Sequence, residues 1–294
     1  MEFVEKNIKF YQNQFFYNKK KDLVCSQVSK NFKFNSYLDK PIYQTVNKWI
    51  DNGYLYENDI ALFLLNVLKK DDISIDIGAN FGIHTLLMAS IVGESGKVLS
   101  FEPGNESFKE LSKNIKLNKF NNVIIKNEAI GDSNNKKVRF NDDKLNAGHS
   151  CIISSKKNKV QTREIIINSL DSHVKMFSNI KVVKIDVEGY EKHVLDGCKR
   201  LLTKNMVRYW IVEYAPHCLA EHGSSLDKIK KLMKKHGYDM FILDPSCSLP
   251  KFIPTNTTIH SRVVANLLFT KLDYLNEDWL FEDVTDHVFP TNIL

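Results

Sequence analysis

The run Asp76-Ile77-Gly78-Ala79-Asn80-Phe81-Gly82 joins an acid to a glycine-bearing turn where an apolar strand gives way to an apolar helix. In an open α/β sheet that place lies outside the carboxyl ends of the strands, where nucleotide-like ligands bind. Gly78 lets the backbone turn and approach a ligand, and Gly82 lets the following helix pack closely. Asn80 tolerates a left-handed conformation where another glycine would serve. Asp76 either contacts the ligand or orients the loop. Glu102, in Phe101-Glu102-Pro103, ends the next strand with a carboxylate that can accept two hydrogen bonds from ribose hydroxyls. Asn127, Glu128 and Ala129 follow the third strand, where an adenine ring would lie.

Three such elements in order on successive strand ends are more specific than any one alone. Together with Glu128-Ala129-Ile130-Gly131-Asp132, Ser169-Leu170-Asp171 and Ile185-Asp186-Val187-Glu188-Gly189-Tyr190-Glu191, they resemble the FkbM family of methyltransferases. The resemblance covers about residues 53–270, with motifs matching in order and spacing. It implies a Rossmann-like, doubly wound α/β fold with a mostly parallel seven-stranded sheet. It also implies S-adenosylmethionine as methyl donor and O-methylation of a small-molecule or sugar acceptor. Carried over by position, Asp76, Gly78 and Glu102 are the implied cofactor contacts, with Asn127, Glu128 and Ala129 near the adenine.

A sulfonium already holds a good leaving group, so a methyltransferase mainly aligns the acceptor and removes its proton. Asp186, ending the fourth strand of this pattern, is the first candidate for positioning or general base, with Glu188 and Glu191 close behind. Negative charge near a helix start is the structural reading of Glu188 and Glu191. Such a carboxylate group could instead hold a divalent cation, although no metal is expected. Glu213 and His217 stand at the end of the fifth strand, and His217 is a second candidate base. His149, in Asn146-Ala147-Gly148-His149-Ser150, falls in a polar insertion and is expected to touch either ligand.

The elements that must position these groups follow from periodicity. Glu57–Lys70 reads as a helix buried on one side, Ile73–Ile77 as a strand, and Ile83–Val92 as an apolar helix. Lys97–Phe101, Val123–Ile125, Lys181–Asp186, Tyr209–Glu213, Tyr238–Leu243 and Val263–Phe269 read as further strands. Helices are expected at Ser107–Asn118, Glu191–Leu202 and Ser225–His236. Strands alternating with helices of about ten residues give βαβ units, a parallel sheet and helices on both faces. Residues 131–168 break this rhythm and read as an inserted hairpin or lid with strands at Val138–Phe140 and Arg163–Ile167. The aromatic-rich residues 1–55 are expected to form a helical cap, 56–272 the catalytic domain and 273–294 a short tail.

Composition narrows the partners. The net charge of +6 comes from 41 basic and 35 acidic residues, mostly interspersed, so a solvated surface is favoured over a nucleic-acid groove. Lys156-Lys157-Asn158-Lys159 lacks the interleaved aromatics of a single-strand platform. Five scattered cysteines, none in a CxxC pair, argue against a disulfide framework or structural zinc and for a reducing compartment. No basic-then-apolar leader and no apolar run near the roughly 20 residues of a membrane span appear, so a cytoplasmic protein is expected. Two rivals share the sheet. A nicotinamide-dependent oxidoreductase would prefer G-x-G-x-x-G, but Phe81 stands where the pyrophosphate would sit. A non-catalytic nucleotide-binding module would have little use for acids at three strand ends.

Overall fold

The computed structural model describes residues 15–18, 23–27, 33–37, 56–142, 150–153, 162–243, 250–254, 257, 259 and 264–278. Three short strands come first, β1 (Phe15–Asn18), β2 (Leu23–Gln27) and β3 (Lys33–Tyr37), paired antiparallel in that order. This corrects the expected helical cap over the described part of residues 1–55. The segments are only four or five residues long and two of them are rich in aromatic types, which suits strands.

The main α/β layer then alternates as expected, with α1 (Asn58–Val67), β4 (Ile73–Ile77), α2 (Ile83–Val92), β5 (Lys97–Phe101), α3 (Asn105–Asn118) and β6 (Val123–Lys126). β7 (Ala129–Ile130) leads into the insertion, which supplies β8 (Lys136–Asn141), β9 (Cys151–Ile152) and β10 (Thr162–Asn168). They form a separate sheet in the order β7-β10-β8-β9, so the insertion is more than a hairpin. The rhythm resumes with α4 (Leu170–His173), β11 (Ile180–Ile185), α5 (Glu191–Asp196), α6 (Lys199–Thr203), β12 (Val207–Tyr214), α7 (Pro216–Glu221) and α8 (Leu226–Lys235). It ends with β13 (Asp239–Leu243), β14 (Lys251–Ile253), β15 (Ala265–Thr270) and α9 (Leu272–Asp278). The helix expected over Glu191–Leu202 is broken at Gly197. A Cβ on Gly197 would fall 1.9 Å from the Gly131 carbonyl oxygen, so the chain turns where that carbonyl presses in.

The main sheet runs β14-β13-β15-β12-β11-β4-β5-β6, eight strands where seven were expected. Four pairings are parallel, and those of β15 with β12 and β13, and of β13 with β14, are antiparallel. The sheet is therefore mixed. A parallel neighbour needs a crossover, usually a helix, and the described residues between β13 and β15 hold none. β14 and β15 therefore run against β13.

Side chains alternate along the inner strands and split the interior into two cores. Val183, Ile185, Trp210 and Val212 pack with Val194, Leu201, Ile229 and Met233 of α5, α6 and α8. Val182, Tyr209 and Ile211 pack on the opposite face with Phe63, Leu86 and Leu111 of α1, α2 and α3. Near-continuous apolar strands are what burial on both faces demands. Asp76 and Lys184 are opposed in register, polar residues in strands with covered faces. Among the described residues no helix is long and apolar enough to cross a membrane.

Candidate active site

The turn after β4 is fastened to β5: the amides of Gly78 and Ala79 both donate to the Phe101 carbonyl at 3.0 Å. Gly78 has φ 81°, and a Cβ there would lie 1.7 Å from the Asp186 carbonyl oxygen. Only glycine fits this approach between β4 and the end of β11. Asn80 takes the left-handed conformation at φ 51°, and its amide donates to Glu102 Oε2 at 2.8 Å. Gly82 lies away from the cleft and lets α2 meet α3, for a Cβ would sit 2.4 Å from Leu111 Cδ1.

Glu102 accepts a second amide bond, from Gly104 at 2.6 Å. Burial raises its carboxyl to about 7, although both amides pull the other way. Each oxygen keeps lone-pair capacity for a further donor. The cleft beside it spans about 940 Å³ to its open mouth, with an apolar wall of Ile77, Phe101, Ala129, Ile130, Phe140 and Ile152. Phe140 and Ile152 come from β8 and β9, so the inserted sheet forms part of that wall. Glu128 and Ala129 line the cleft as well. Glu128 Oε1 accepts from Asn168 Nδ2 and lies 3.2 Å from His173 Nε2. Asn127 lies outside the wall and braces it, donating from Nδ2 to the carbonyls of Glu102 at 2.9 Å and Pro103 at 3.0 Å. His149 lies outside the described residues.

Asp76 is fully buried behind the turn rather than in the cleft wall. Its Oδ2 accepts from Thr85 Oγ1 at 2.7 Å, and its Oδ1 is 3.9 Å from Lys184 Nζ. Asp76 thus ties β4 to α2 and faces Lys184 on β11. Lys184, which sequence reasoning passed over, is 2% exposed and donates to Asp186 Oδ2 at 2.9 Å. Burial alone would lower its ammonium, but Asp186, Asp76 and Glu57 outweigh that and hold it above the usual lysine range. A lysine inside an apolar strand, two residues before an acid, was the available signal.

Carboxylate oxygens of Asp186, Glu188 and Glu213 all lie within 4.8 Å of one another. Burial, then Asp186 and Glu191, raise Glu188 to about 8. Burial and the same neighbouring acids raise Glu213 well above the carboxylate range. Carboxylates packed this closely keep protons or attract a cation. Glu191 has the helix-start role, because Oε1 accepts from the amides of Val187 at 3.1 Å and Gly189 at 3.0 Å. His217 is not brought to the cleft. Pro216 opens α7, and His217 beside it is exposed, with Nε2 3.2 Å from Cys218 Sγ. Glu57 and His84, missed in the sequence, do line the cleft, with Glu57 Oε2 and His84 Nε2 3.6 Å apart.

The family model for the methyltransferase FkbM domain matches residues 76–240. The hexuronic acid methyltransferase AglP of Haloferax volcanii is 27% identical over 160 residues, 53% of this chain and 62% of that protein. The chain thus spans less than two thirds of the length of that curated relative. Among solved structures, methyltransferase FkbM from Methylobacillus flagellatus aligns at 14% identity and TM-score 0.42, covering 68% of this chain and 43% of that one. An S-adenosylmethionine-dependent O-methyltransferase from Thermotoga maritima aligns at 12% identity and TM-score 0.41, covering 89% and 87%. Since the family model takes in more than half of the chain and the strand ends that build the cleft, this protein belongs to the FkbM methyltransferase family.

Proposed function

We propose that the protein uses S-adenosylmethionine to methylate an oxygen of a small-molecule or sugar acceptor. The observation that carries this reading is Glu102, a carboxylate fixed by two amides in the wall of a cleft that is also lined by apolar side chains. The pairing suits a ribose diol next to an adenine ring. Asn80 Oδ1, buried with no protein partner in the same wall, is a further acceptor for a ligand donor. When bound, S-adenosylmethionine supplies an electrophilic methyl group on a sulfonium.

The chain's residues do the rest. Glu102 takes the ribose hydroxyls, with Glu128 and Ala129 beside the base. Asp186, held by Lys184, orients the acceptor. Glu188, with a carboxyl raised to about 8, gains the capacity to receive the acceptor's proton as the pH rises through that value. His217 has no part in this reading. A sugar acceptor draws support from the hexuronic acid methyltransferase relative.

Calorimetric titration with S-adenosylhomocysteine, alongside NAD and a Glu102→Ala variant, tests the reading. Micromolar binding of S-adenosylhomocysteine, lost in the variant and absent for NAD, is expected. A folded protein that binds NAD instead, or neither ligand, overturns it.

A further inference from the structure

Two buried polar atoms face each other in the cleft wall without a hydrogen bond between them. Glu57 Oε2 and His84 Nε2 are 3.6 Å apart, too far for a hydrogen bond, and neither finds another partner. His84 is 5% exposed, and burial together with Lys184 lowers its ring well below the usual histidine range, so it is neutral. Burial, then Asp186, raise Glu57 to about 8, with Lys184 opposing. A buried polar atom left without a hydrogen-bond partner is costly, and here two occur side by side.

The surrounding field selects the sign of what would satisfy them. Asp186, Glu188 and Glu213 line the same cleft, and Asp76 lies behind it. Lys184, the one lysine or arginine in the described cleft wall, is already engaged by Asp186 at 2.9 Å and neighboured by Asp76 at 3.9 Å. A small cation with several N–H donors meets both needs, since its charge favours the ionised Glu57 carboxylate and its hydrogens then reach Glu57 Oε2 and, in the Nδ1–H tautomer, His84 Nε2.

We propose that Glu57 and His84 form the subsite for the α-ammonium group of S-adenosylmethionine, in the cleft that Glu102 also lines. This rests on the cofactor reading above. It accounts for an acid and a histidine brought together from outside every motif of the strand ends. Glu57 precedes α1 and His84 stands in the first turn of α2, so the packing of those two helices builds the subsite. Both are binding residues here, distinct from the proton acceptor Glu188.

The test compares S-adenosylhomocysteine with its desamino analogue, in which hydrogen replaces the ammonium, by calorimetry on wild type, Glu57→Gln and His84→Leu. Wild type is expected to prefer S-adenosylhomocysteine by about tenfold or more, the worth of hydrogen bonds to a charged group. Glu57→Gln should remove most of that preference and His84→Leu a smaller part, while both variants bind the desamino analogue as wild type does. That unchanged affinity shows that the variants are folded. Equal affinity of wild type for the two ligands overturns the subsite and leaves the cofactor reading standing. So does equal weakening of both ligands in the variants. If wild type binds neither ligand, the cofactor reading fails and takes the subsite with it.

Discussion

Asp186 and Glu188 stand two residues apart, yet their surroundings give them different work. Asp186 is tied to Lys184 at 2.9 Å, whereas Glu188 sits among acids in a left-handed backbone at φ 54°. Replacing Asp186 with Asn should therefore cut methyl transfer by about a hundredfold, the scale of a misplaced reacting group. Affinity for S-adenosylhomocysteine should stay within a few-fold of wild type. If calorimetry shows that affinity collapsing, the division between cofactor-binding and acceptor-orienting residues is wrong. Glu188 makes a different forecast. Its carboxyl is raised to about 8, so at higher pH the folded state carries a charge that burial and Asp186 disfavour. Glu188→Gln should melt at a higher temperature than wild type at pH 8, and the gain should shrink toward pH 5. A variant equal to wild type at pH 8 would show that Glu188 is not held among charges.

At the scale of elements, Gly78, in the turn between β4 and α2, and Gly223, after α7, offer a direct comparison of two left-handed glycines. Gly78→Ala forces a Cβ to 1.7 Å from the Asp186 carbonyl at φ +81°, while Gly223 at φ +67° has nothing within 4 Å. Gly223→Ala should cost about 1 kcal/mol, the price of the conformation alone. Gly78→Ala should cost more than the roughly 1–3 kcal/mol of a strained backbone, because β4 and β11 must also part. Urea denaturation of the two variants checks the order. The strands and helices from β4 to β13 were largely legible because each is a local apolar run bounded by turn signals, and Ile83–Val92 and Lys97–Phe101 are recovered to the residue. Pairing is not local. Nothing within Val263–Phe269 says that this strand enters between β12 and β13 and runs the other way, although the lack of a helical pattern after Leu243 hinted at it. The candidate site divides along the same line. Glu102, Glu128 and Asp186 sit in motifs at strand ends, whereas Glu57 and His84 meet only because α1 packs on α2. His217, which sequence placed at the end of the fifth strand, is turned outward on α7.

Over the whole molecule, the acids of the cleft should shape stability as a function of pH. Glu57 and Glu188 are raised to about 8, and Glu102 and Glu191 to about 7, in each case first by burial. In the folded protein they hold protons that the unfolded chain releases above about 4.5, so raising the pH costs the folded state more than the unfolded one. The lowered histidines His84, His193, His222 and His236 act in the opposite sense, but only below their ordinary value of 6.5. Between pH 6.5 and 8 the acids act alone. The melting temperature of the ligand-free protein should fall across that window and level off above it. A melting temperature that rises from pH 6.5 to 8 would contradict the burial of these carboxyls. The placement of β15 reaches further still, into how the protein is made. Translation delivers β12 and β13 with a gap between them, and the strand that fills it, Ala265–Thr270, is the last of the sheet to leave the ribosome. Until it arrives, the nascent chain carries two unpaired edges in the middle of its future sheet, where a foreign strand could pair. Biosynthesis of this protein therefore has a vulnerable interval, and a chaperone that shields those edges until residue 270 emerges would guard its yield.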